Sequence, residues 1–305
     1  MDPARERRAE SVLFVLFASA CFALSGPLAR WARPTDPLLI AFGRLALAAV
    51  LLGAIEARAL RPALAGLTSR QRLTVVAAGA LLAAHFACFQ IGLDRTSLPA
   101  AVSLVSLEPL SVVLCAWVLL GIRPSRPEQI GVLVATAGAV LVARGAGKGE
   151  HRLAGDLLVL AAVGLYGLYL TVARALKDAL PARSYAALVY ASAAVILAFA
   201  LLVAPRDASA AAIWPPPQRG IVAIAIIALV PTILGHTAVQ TASRTLPPAI
   251  VALVSPGETL GSIVLGALFL HEIPAATEIA GALIILLGSA IAIFAPRPTP
   301  PLRAA

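Results

Sequence analysis

The sequence has few charged residues, few cysteines and few aromatic side chains. Charged residues fill only 13% of its 305 positions, whereas hydrophobic residues fill 60%. Soluble domains contain about 25% charged and about 45–50% apolar residues, so a soluble protein of this length would have no interior large enough for the apolar side chains. These proportions exclude an ordinary soluble protein and predict an integral membrane protein.

The three cysteines do not indicate a disulfide framework or a zinc site. Cys21, Cys88 and Cys115 all fall inside apolar segments, at unrelated spacings. A structural framework needs an even number of cysteines or short paired spacings. We interpret them as small residues of the helix interior, and the sequence predicts neither a metal nor a cofactor.

Other absences argue against enzymes, pumps and nucleic-acid binding. The sequence has no phosphate-binding glycine loop and no helix-borne aspartate pair. Its net charge of +9 is spread over loops and tails, without a basic block that would bind nucleic acid. Residues 23–26 resemble the serine motif of intramembrane proteases, but Ala23 replaces the expected glycine and Pro27 follows at once. An intramembrane protease or another non-transport membrane protein is the alternative of a different class.

Ten apolar segments are long enough to be candidate membrane helices, which need about 20 residues each. They cover residues 11–32, 37–57, 73–93, 98–120, 128–143, 155–175, 184–203, 220–243, 247–270 and 277–295. A charged, glycine-containing linker at 146–154 separates five segments from five. We therefore expect an all-α integral membrane protein, with repeats at 1–145 and 155–295 and a disordered proline-rich tail at 296–305.

Lysine and arginine positions predict the orientation of the spans. With the N-terminus in the cytoplasm, fifteen of these residues fall on the cytoplasmic side, eight on the other side and Arg44 inside a span. Cytoplasmic loops carry the excess of positive charge, so both termini are expected in the cytoplasm. Only Lys148 and Lys177 are lysines, and together with the many Ala, Gly and Pro residues this favours a GC-rich bacterial genome and the bacterial inner membrane.

The two halves of the chain repeat each other. RTSLPAAVSLVSLEPL at 95–110 matches RTLPPAIVALVSPGETL at 244–260, and Glu108 lies 150 residues before Glu258. The same offset relates four further pairs: Pro124 and Pro274, Glu128 and Glu278, Gly131 and Gly281, and Gly138 and Gly288. Because each half contains an odd number of spans, the second half must insert upside down. Inverted repeats of this kind are typical of secondary transporters.

The repeated segments resemble a known family. SLEPLSVVLCAWVLLG followed by EQIGVLVATAGAVLVA, and SPGETLGSIVLGALFLHE followed by TEIAGALIILLGSAIAIF, are similar to the EamA repeat of the drug/metabolite transporter superfamily. The family's glutamate at the end of the span is present as Glu272, but Ile122 stands at its place in the first half. Pro256-Gly257 replaces the Glu-Pro step in the second half.

The resemblance implies a ten-helix carrier that works by alternating access. It favours export of small metabolites such as amino acids, with protons as a candidate coupling ion and the lipid bilayer and a small-molecule substrate as partners. A multidrug or lipophilic-cation exporter is the alternative within transport. The sequence leaves the substrate, the direction of flux, the energy source and the oligomeric state open.

Glu108 and Glu258 are the first candidates for the transport site. A carboxylate in the middle of a membrane helix is costly unless it is paired or functional. Each glutamate lies on a polar helical stripe, made by Ser111 on one helix and by Ser255 and Ser262 on the other. The pair is suited to bind a substrate ammonium or to carry a proton. The competing interpretation is that both are neutral or paired packing residues.

Further polar residues lie inside the spans. Arg44 is suited either to pair with one of the two glutamates or to hold a substrate carboxylate. His85 and Gln90 in the third span, and His236 and Gln240 in the eighth, would line the path or join helices by hydrogen bonds. We expect the matched glycines to allow close helix packing, and Glu272 to have a structural or capping role. Tyr166, Tyr169, Tyr190 and Trp117 fit either a cavity wall or the membrane interface.

Overall fold

The computed structural model describes residues 3–121, 123–145, 149–173, 176, 179–203, 215–242 and 254–293. Regular structure in these ranges is helical. The first half contains α1 (Pro3–Ala23), α2 (Ser25–Trp31), α3 (Pro37–Ile55), α4 (Ala57–Gly66), α5 (Ser69–Arg95), α6 (Leu98–Val105), α7 (Glu108–Leu120) and α8 (Arg126–Ala143). The second half contains α9 (Leu153–Ala173), α10 (Ala182–Val203), α11 (Gln218–Ile227), a π-helical segment (Ala228–Gly235), α12 (His236–Ala242), α13 (Val254–Phe269) and α14 (Ala276–Ile293).

These helices confirm the predicted all-α membrane fold. Within the described ranges, six helical stretches are long and apolar enough to cross a membrane, and the bent pair α6–α7 makes a seventh. The eighteen-residue α8 and the shorter apolar helices α13 and α14 occupy the remaining predicted spans. The predicted tail at 296–305 lies outside the described residues.

The connection after the second span contains a short helix. Residues 57–66 form the short helix α4, in which no residue is buried. Arg58 and Arg61 alternate with Leu60 and Leu64, so the helix has one basic and one apolar face. Such a helix is suited to lie in the plane of the membrane surface.

The contact between α8 and α14 shows how the two halves are related. A Cβ atom added at Gly131 would lie 2.5 Å from the Gly288 carbonyl oxygen, and one added at Gly138 would lie 2.8 Å from the Gly281 carbonyl oxygen. As numbers rise along α8 they fall along α14, so these equivalent helices of the two repeats are antiparallel. The repeats are therefore inverted.

Other helix contacts follow the same pseudo-two-fold symmetry. The first span packs on the ninth through α1 and α13, as the sixth packs on the fourth through α9 and α7. The third span packs on the sixth, as the eighth packs on the first, and α3 packs on its equivalent α10. Each half therefore completes its helix packing largely with elements of the other half.

Three spans are interrupted near their middles. The first breaks at Leu24 between α1 and α2, and the fourth bends by 41° between α6 and α7. The eighth contains the π-helical segment with Pro231 inside it. Proline lacks an N–H, and π turns leave the regular hydrogen-bond register, so such interruptions free polar backbone groups. In lipid these groups are tolerated only inside the protein or beside a cavity, so the interruptions indicate where a site can form.

We predict that Gly288→Ala destabilises the protein by closing the space between α8 and α14. A Cβ atom there would lie 2.5 Å from the Ala135 amide nitrogen and 2.6 Å from the Gly131 carbonyl oxygen. Overpacking of this kind costs about 1–3 kcal/mol, which thermal unfolding in detergent measures. Gly53→Ala is the matched control, because a Cβ at Gly53 meets nothing within 4 Å. Equal unfolding temperatures for the two variants would contradict the close contact.

Candidate functional site

Arg44 lies in α3 and is only 3% exposed. Its Nε and Nη2 donate to Oγ1 of Thr232 over 3.2 and 3.0 Å, and its Nη1 donates to Oγ of Ser25 over 3.3 Å. The guanidinium carbon lies 4.1 Å from the centroid of the Phe86 ring. These neighbours are uncharged, so the contacts orient the cation without neutralising it.

Two of the broken spans supply the acceptors for Arg44. Ser25 begins α2, directly after the break in the first span. Thr232 lies in the π-helical segment next to Pro231, and its hydroxyl donates to the Ile227 carbonyl over 2.8 Å. The irregular backbone thus presents both hydroxyls to one guanidinium group. This arrangement of two hydroxyls around one guanidinium group forms only when spans one, two and eight pack together.

Glu108 and Glu258 lie on equivalent spans of the two repeats. Glu108 is the first residue of α7, and Glu258 lies in α13, which runs unbroken through Pro256 and Gly257. Both are half-buried and within electrostatic range of each other. In the described part of the chain, neither carboxylate forms an ion pair with Arg44, although Glu258 is within its electrostatic range. Of the two interpretations of Arg44, direct pairing with a glutamate is not seen among the described residues.

The two histidines are surrounded by aromatic rings. Nδ1 of His85 donates to the Ala162 carbonyl over 2.9 Å. Its ring centroid lies 4.8 Å from that of Phe86 and 5.2 Å from that of Tyr166. On the opposite repeat, His236 lies 5.0 Å from Phe22 and 6.4 Å from Tyr190. Tyr166 also lies 6.1 Å from Tyr169, ring centroid to ring centroid, so the aromatic contacts of His85 continue along α9.

The three candidate serines divide into two kinds. The hydroxyl of Ser111 donates to the Glu108 carbonyl over 2.8 Å, and that of Ser262 donates to the Ala23 carbonyl over 2.9 Å. Both satisfy backbone oxygens next to a helix break. The Ser255 hydroxyl is buried and has no hydrogen-bond partner in the described residues. Of the three, Ser255 alone retains an unused polar group near Glu258.

The two candidate glutamines lie apart from this centre or outside the described side chains. Gln90 is 2% exposed, and its amide nitrogen has no hydrogen-bond partner among the described residues. It lines a small cavity with Arg30, Arg33 and Asp94, towards the end of the bundle that carries the linker. The side chain of Gln240 is outside the described part of the structure.

A polar cluster closes that same end of the bundle, and the sequence did not predict it. We define the linker-end cluster as Arg30, Arg33, Asp94, Thr96, Ser97, Glu150, His151, Asp156, Glu272 and Glu278. Arg30 lies 2.9 Å from Glu272 and 3.1 Å from Glu150, and Arg33 lies 2.9 Å from Asp94 and 2.7 Å from Glu150. The hydrogen bond from Arg33 lowers the pKa of the Glu150 carboxyl. Its members come from four stretches that are far apart in the chain, at 30–33, 94–97, 150–156 and 272–278, so no local pattern reveals them.

The geometry is that of a known class of membrane protein. Paired inverted repeats with interrupted helices at their interface are found in many transporters. A family model described as the EamA-like transporter family matches residues 10–144 and 153–294, and the chain belongs to that family. It is therefore a multi-pass membrane protein of a transporter family, as the sequence motifs indicated.

Comparison with solved structures shows the same fold. One crystal structure, described only as that of a protein, is 18% identical in sequence and superposes with a TM-score of 0.63. The match covers 93% of this chain and 96% of that chain. At this identity the likeness supports the fold alone. No curated protein matches this chain.

The neighbours of Ser25 do not support a protease. A nucleophilic serine needs an adjacent base that accepts its proton. Among the described residues, the hydroxyl of Ser25 has one hydrogen-bond partner, Nη1 of Arg44, and a guanidinium group donates protons but does not accept them. Ser25 therefore acts as an acceptor for Arg44 in this arrangement.

We predict that Thr232→Val destabilises the protein more than Ser25→Ala. Valine matches threonine in shape but leaves two guanidinium N–H groups without an acceptor, at a cost of about 1–3 kcal/mol. Ser25→Ala removes only the longest of the three contacts. Thermal unfolding of both variants in detergent gives the comparison. A larger loss for Ser25→Ala would show that Thr232 is not the main anchor.

Proposed function

We propose that this protein is a carrier for small zwitterionic metabolites, of which amino acids are the simplest, and that it exports them by alternating access. The observation that carries the proposal is the separation of charge at mid-membrane. Arg44 is held by neutral hydroxyls, while Glu108 and Glu258 have side-chain oxygens without a polar partner in the described residues. A ligand that carries both a carboxylate and an ammonium group would give Arg44 an anionic partner and give the two glutamates a cationic partner.

The guanidinium group is suited to the carboxylate end of such a ligand. Arg44 has five N–H donors in one plane, a geometry that matches a carboxylate. Because Ser25 and Thr232 are neutral, the positive charge of Arg44 would remain available to attract a substrate carboxylate. The carboxylates of Glu108 and Glu258 offer acceptors for the ammonium end, with Tyr166 beside them.

Coupling to protons is the second part of the proposal. Two carboxylates within electrostatic range repel each other when both are ionised, so a proton or a cation shared between them is favoured. A substrate ammonium and a proton would then compete for the same pair. Such competition is one physical route by which an inward proton flux drives export.

The aromatic surroundings favour one alternative function. Rings of Phe86, Phe89, Tyr166 and Tyr190 lie near the charged centre, and aromatic faces with carboxylates attract organic cations. A lipophilic-cation exporter would use the glutamates and rings but not Arg44. Substitution of Arg44 therefore distinguishes a carrier of zwitterions, which needs this residue, from an exporter of lipophilic cations, which does not.

We predict that Arg44→Gln weakens transport of an amino acid by about tenfold or more, because a charged hydrogen-bonding partner of the carboxylate is lost. The measurement is uptake into proteoliposomes, with the amino acid and its carboxylate-free amide as substrates. The amide should be affected far less. Arg70→Gln, which changes an exposed arginine, is the control. Lipophilic-cation transport that is unaffected by Arg44→Gln, with no amino-acid transport, would support the alternative instead.

We also predict that a pH gradient accelerates transport and that Glu108→Gln or Glu258→Gln removes this acceleration. A glutamine keeps the shape of the side chain but does not exchange a proton. Flux is measured with and without the gradient in the same vesicles. Transport that ignores the gradient and survives both substitutions would exclude proton coupling through these residues.

A further inference from the structure

The linker-end cluster joins the two repeats across one end of the transport path. Arg30, Thr96 and Ser97 belong to the first repeat, whereas Asp156, Glu272 and Glu278 belong to the second. Glu150 and His151 lie in the linker between them. A carrier opens its central site to one side by separating its halves at that side. Opening at this end must therefore break contacts within the cluster.

Glu272 holds two spans of the opposite repeat. One carboxylate oxygen lies 2.9 Å from Nε of Arg30, an ionic contact without the direction of a hydrogen bond. The other oxygen accepts from the Leu98 amide over 3.1 Å, at the N-terminus of α6. A carboxylate is favoured there because the first amides of a helix are unpaired and its dipole is positive. Arg30 in turn donates to the Thr96 carbonyl over 2.5 Å.

His151 lies between two buried carboxylates. Its Nε2 is 2.8 Å from Oδ2 of Asp156, and its Nδ1 is 3.2 Å from Oε1 of Glu278. Asp156 also accepts from the Thr96 hydroxyl over 2.7 Å, and Glu278 accepts from the Ser97 hydroxyl and from the Ala275 amide. Of the two contacts, that of Nε2 with Asp156 has the geometry of a hydrogen bond, whereas that of Nδ1 with Glu278 is a close approach of a ring nitrogen to a carboxylate oxygen. The ring therefore fills the space between the two carboxylates and is bonded to one of them.

The charged groups around His151 are found on every neighbouring element. Asp156 on α9 and Glu278 on α14 contact the ring directly. Beyond them lie Glu272 before α14, Arg30 on α2, and Glu150 in the linker. Further charged residues at the rim of this end are Arg33, Asp94, Arg95, Arg144 and Arg152.

The sequence does not repeat this closure at the opposite end. Under the internal duplication, the position equivalent to Glu272 is occupied by Ile122, which cannot pair with an arginine. Glu128, the equivalent of Glu278, accepts only from Ser125 of its own helix start within the described residues. The contacts that Glu272 and Glu278 make at the linker end of the bundle are therefore not repeated by Ile122 and Glu128 at the opposite end.

We propose that the linker-end cluster is the gate that closes the central site at this end. Arg30 and Glu272 fasten the first and fourth spans to the second repeat. Asp156 and Glu278 bind Thr96 and Ser97 of the first repeat, and His151 lies between these two carboxylates and holds them in position. The proposal rests on the proposed carrier function for its purpose, but its test needs no substrate.

The test uses the reactivity of a cysteine placed directly beneath the cluster. Gln90→Cys is introduced after Cys21, Cys88 and Cys115 are replaced by alanine. A membrane-impermeant maleimide is added to intact cells and, separately, to inside-out vesicles, so that the face carrying the linker end is identified. We expect Glu272→Gln and Glu278→Gln each to raise the labelling rate from that face by about tenfold or more, since each removes a carboxylate charge that contacts a cationic or polar partner in the cluster.

Glu128→Gln is the matched control. It removes the equivalent helix-capping carboxylate of the other repeat, so it tests whether helix capping alone affects labelling. Size-exclusion chromatography and thermal unfolding select variants that remain folded. An unchanged rate in folded Glu272→Gln and Glu278→Gln, or an equal rise in Glu128→Gln, would overturn the gate.

The histidine is tested by substitution. In His151→Ala the labelling rate of Gln90→Cys from the linker face should rise, because the ring no longer holds Asp156 and Glu278 in position. The rates are divided by those of Arg152→Cys, an exposed linker residue, to correct for thiol reactivity. An unchanged corrected rate in folded His151→Ala would refute its role.

Labelling and transport give separate outcomes. If amino-acid transport is not found but labelling responds as expected, the substrate assignment is wrong and the gate stands. If transport is found but labelling does not respond, the carrier function stands and the gate is wrong.

Discussion

The structure depends on the cost of placing charge in the middle of a membrane. Arg44, Glu108 and Glu258 lie on three different spans, and none of them is neutralised by a direct ion pair in the described residues. Such residues persist only where helices shield them from lipid and supply polar contacts. The breaks at Leu24, at Ser106–Leu107 and in the π-helical segment surround this centre, and two of them supply the hydroxyls that hold Arg44.

Arg44, Glu108 and Glu258 are shielded from lipid only if the helices approach one another closely and the two repeats pack together. Gly131 and Gly138 on α8 meet Gly288 and Gly281 on α14, at distances that no larger side chain allows. The contact is isologous, because a pseudo-two-fold axis exchanges its two ends. A carrier with such an axis can reach two similar conformations that open to opposite sides. The linker-end cluster departs from this symmetry, since it is built from Glu272 where the first repeat has Ile122.

Much of the fold was predictable because membrane helices and repeats leave strong local signals. Length and hydrophobicity located the ten spans, and matched Glu, Pro and Gly positions located the duplication. The short helix α4 was missed because it is amphipathic rather than apolar. Ser111 and Ser262 share helices with the two glutamates, but their hydroxyls bind backbone carbonyls next to helix breaks. Helical spacing predicts which face of a helix a serine lies on. The partner of its hydroxyl depends on which backbone oxygens lack a hydrogen bond within their own helix.

The sequence by itself determined that this is a membrane transporter with two inverted repeats, because composition, span count and family motifs are properties of the chain alone. Only the tertiary structure decided what contacts the charged residues. Arg44 binds Thr232, 188 residues away, and not a glutamate. Arg30 and Glu272, at opposite ends of the chain, meet beside His151. Contacts between side chains so far apart in sequence have no periodic pattern, and the packing of the spans alone brings them together.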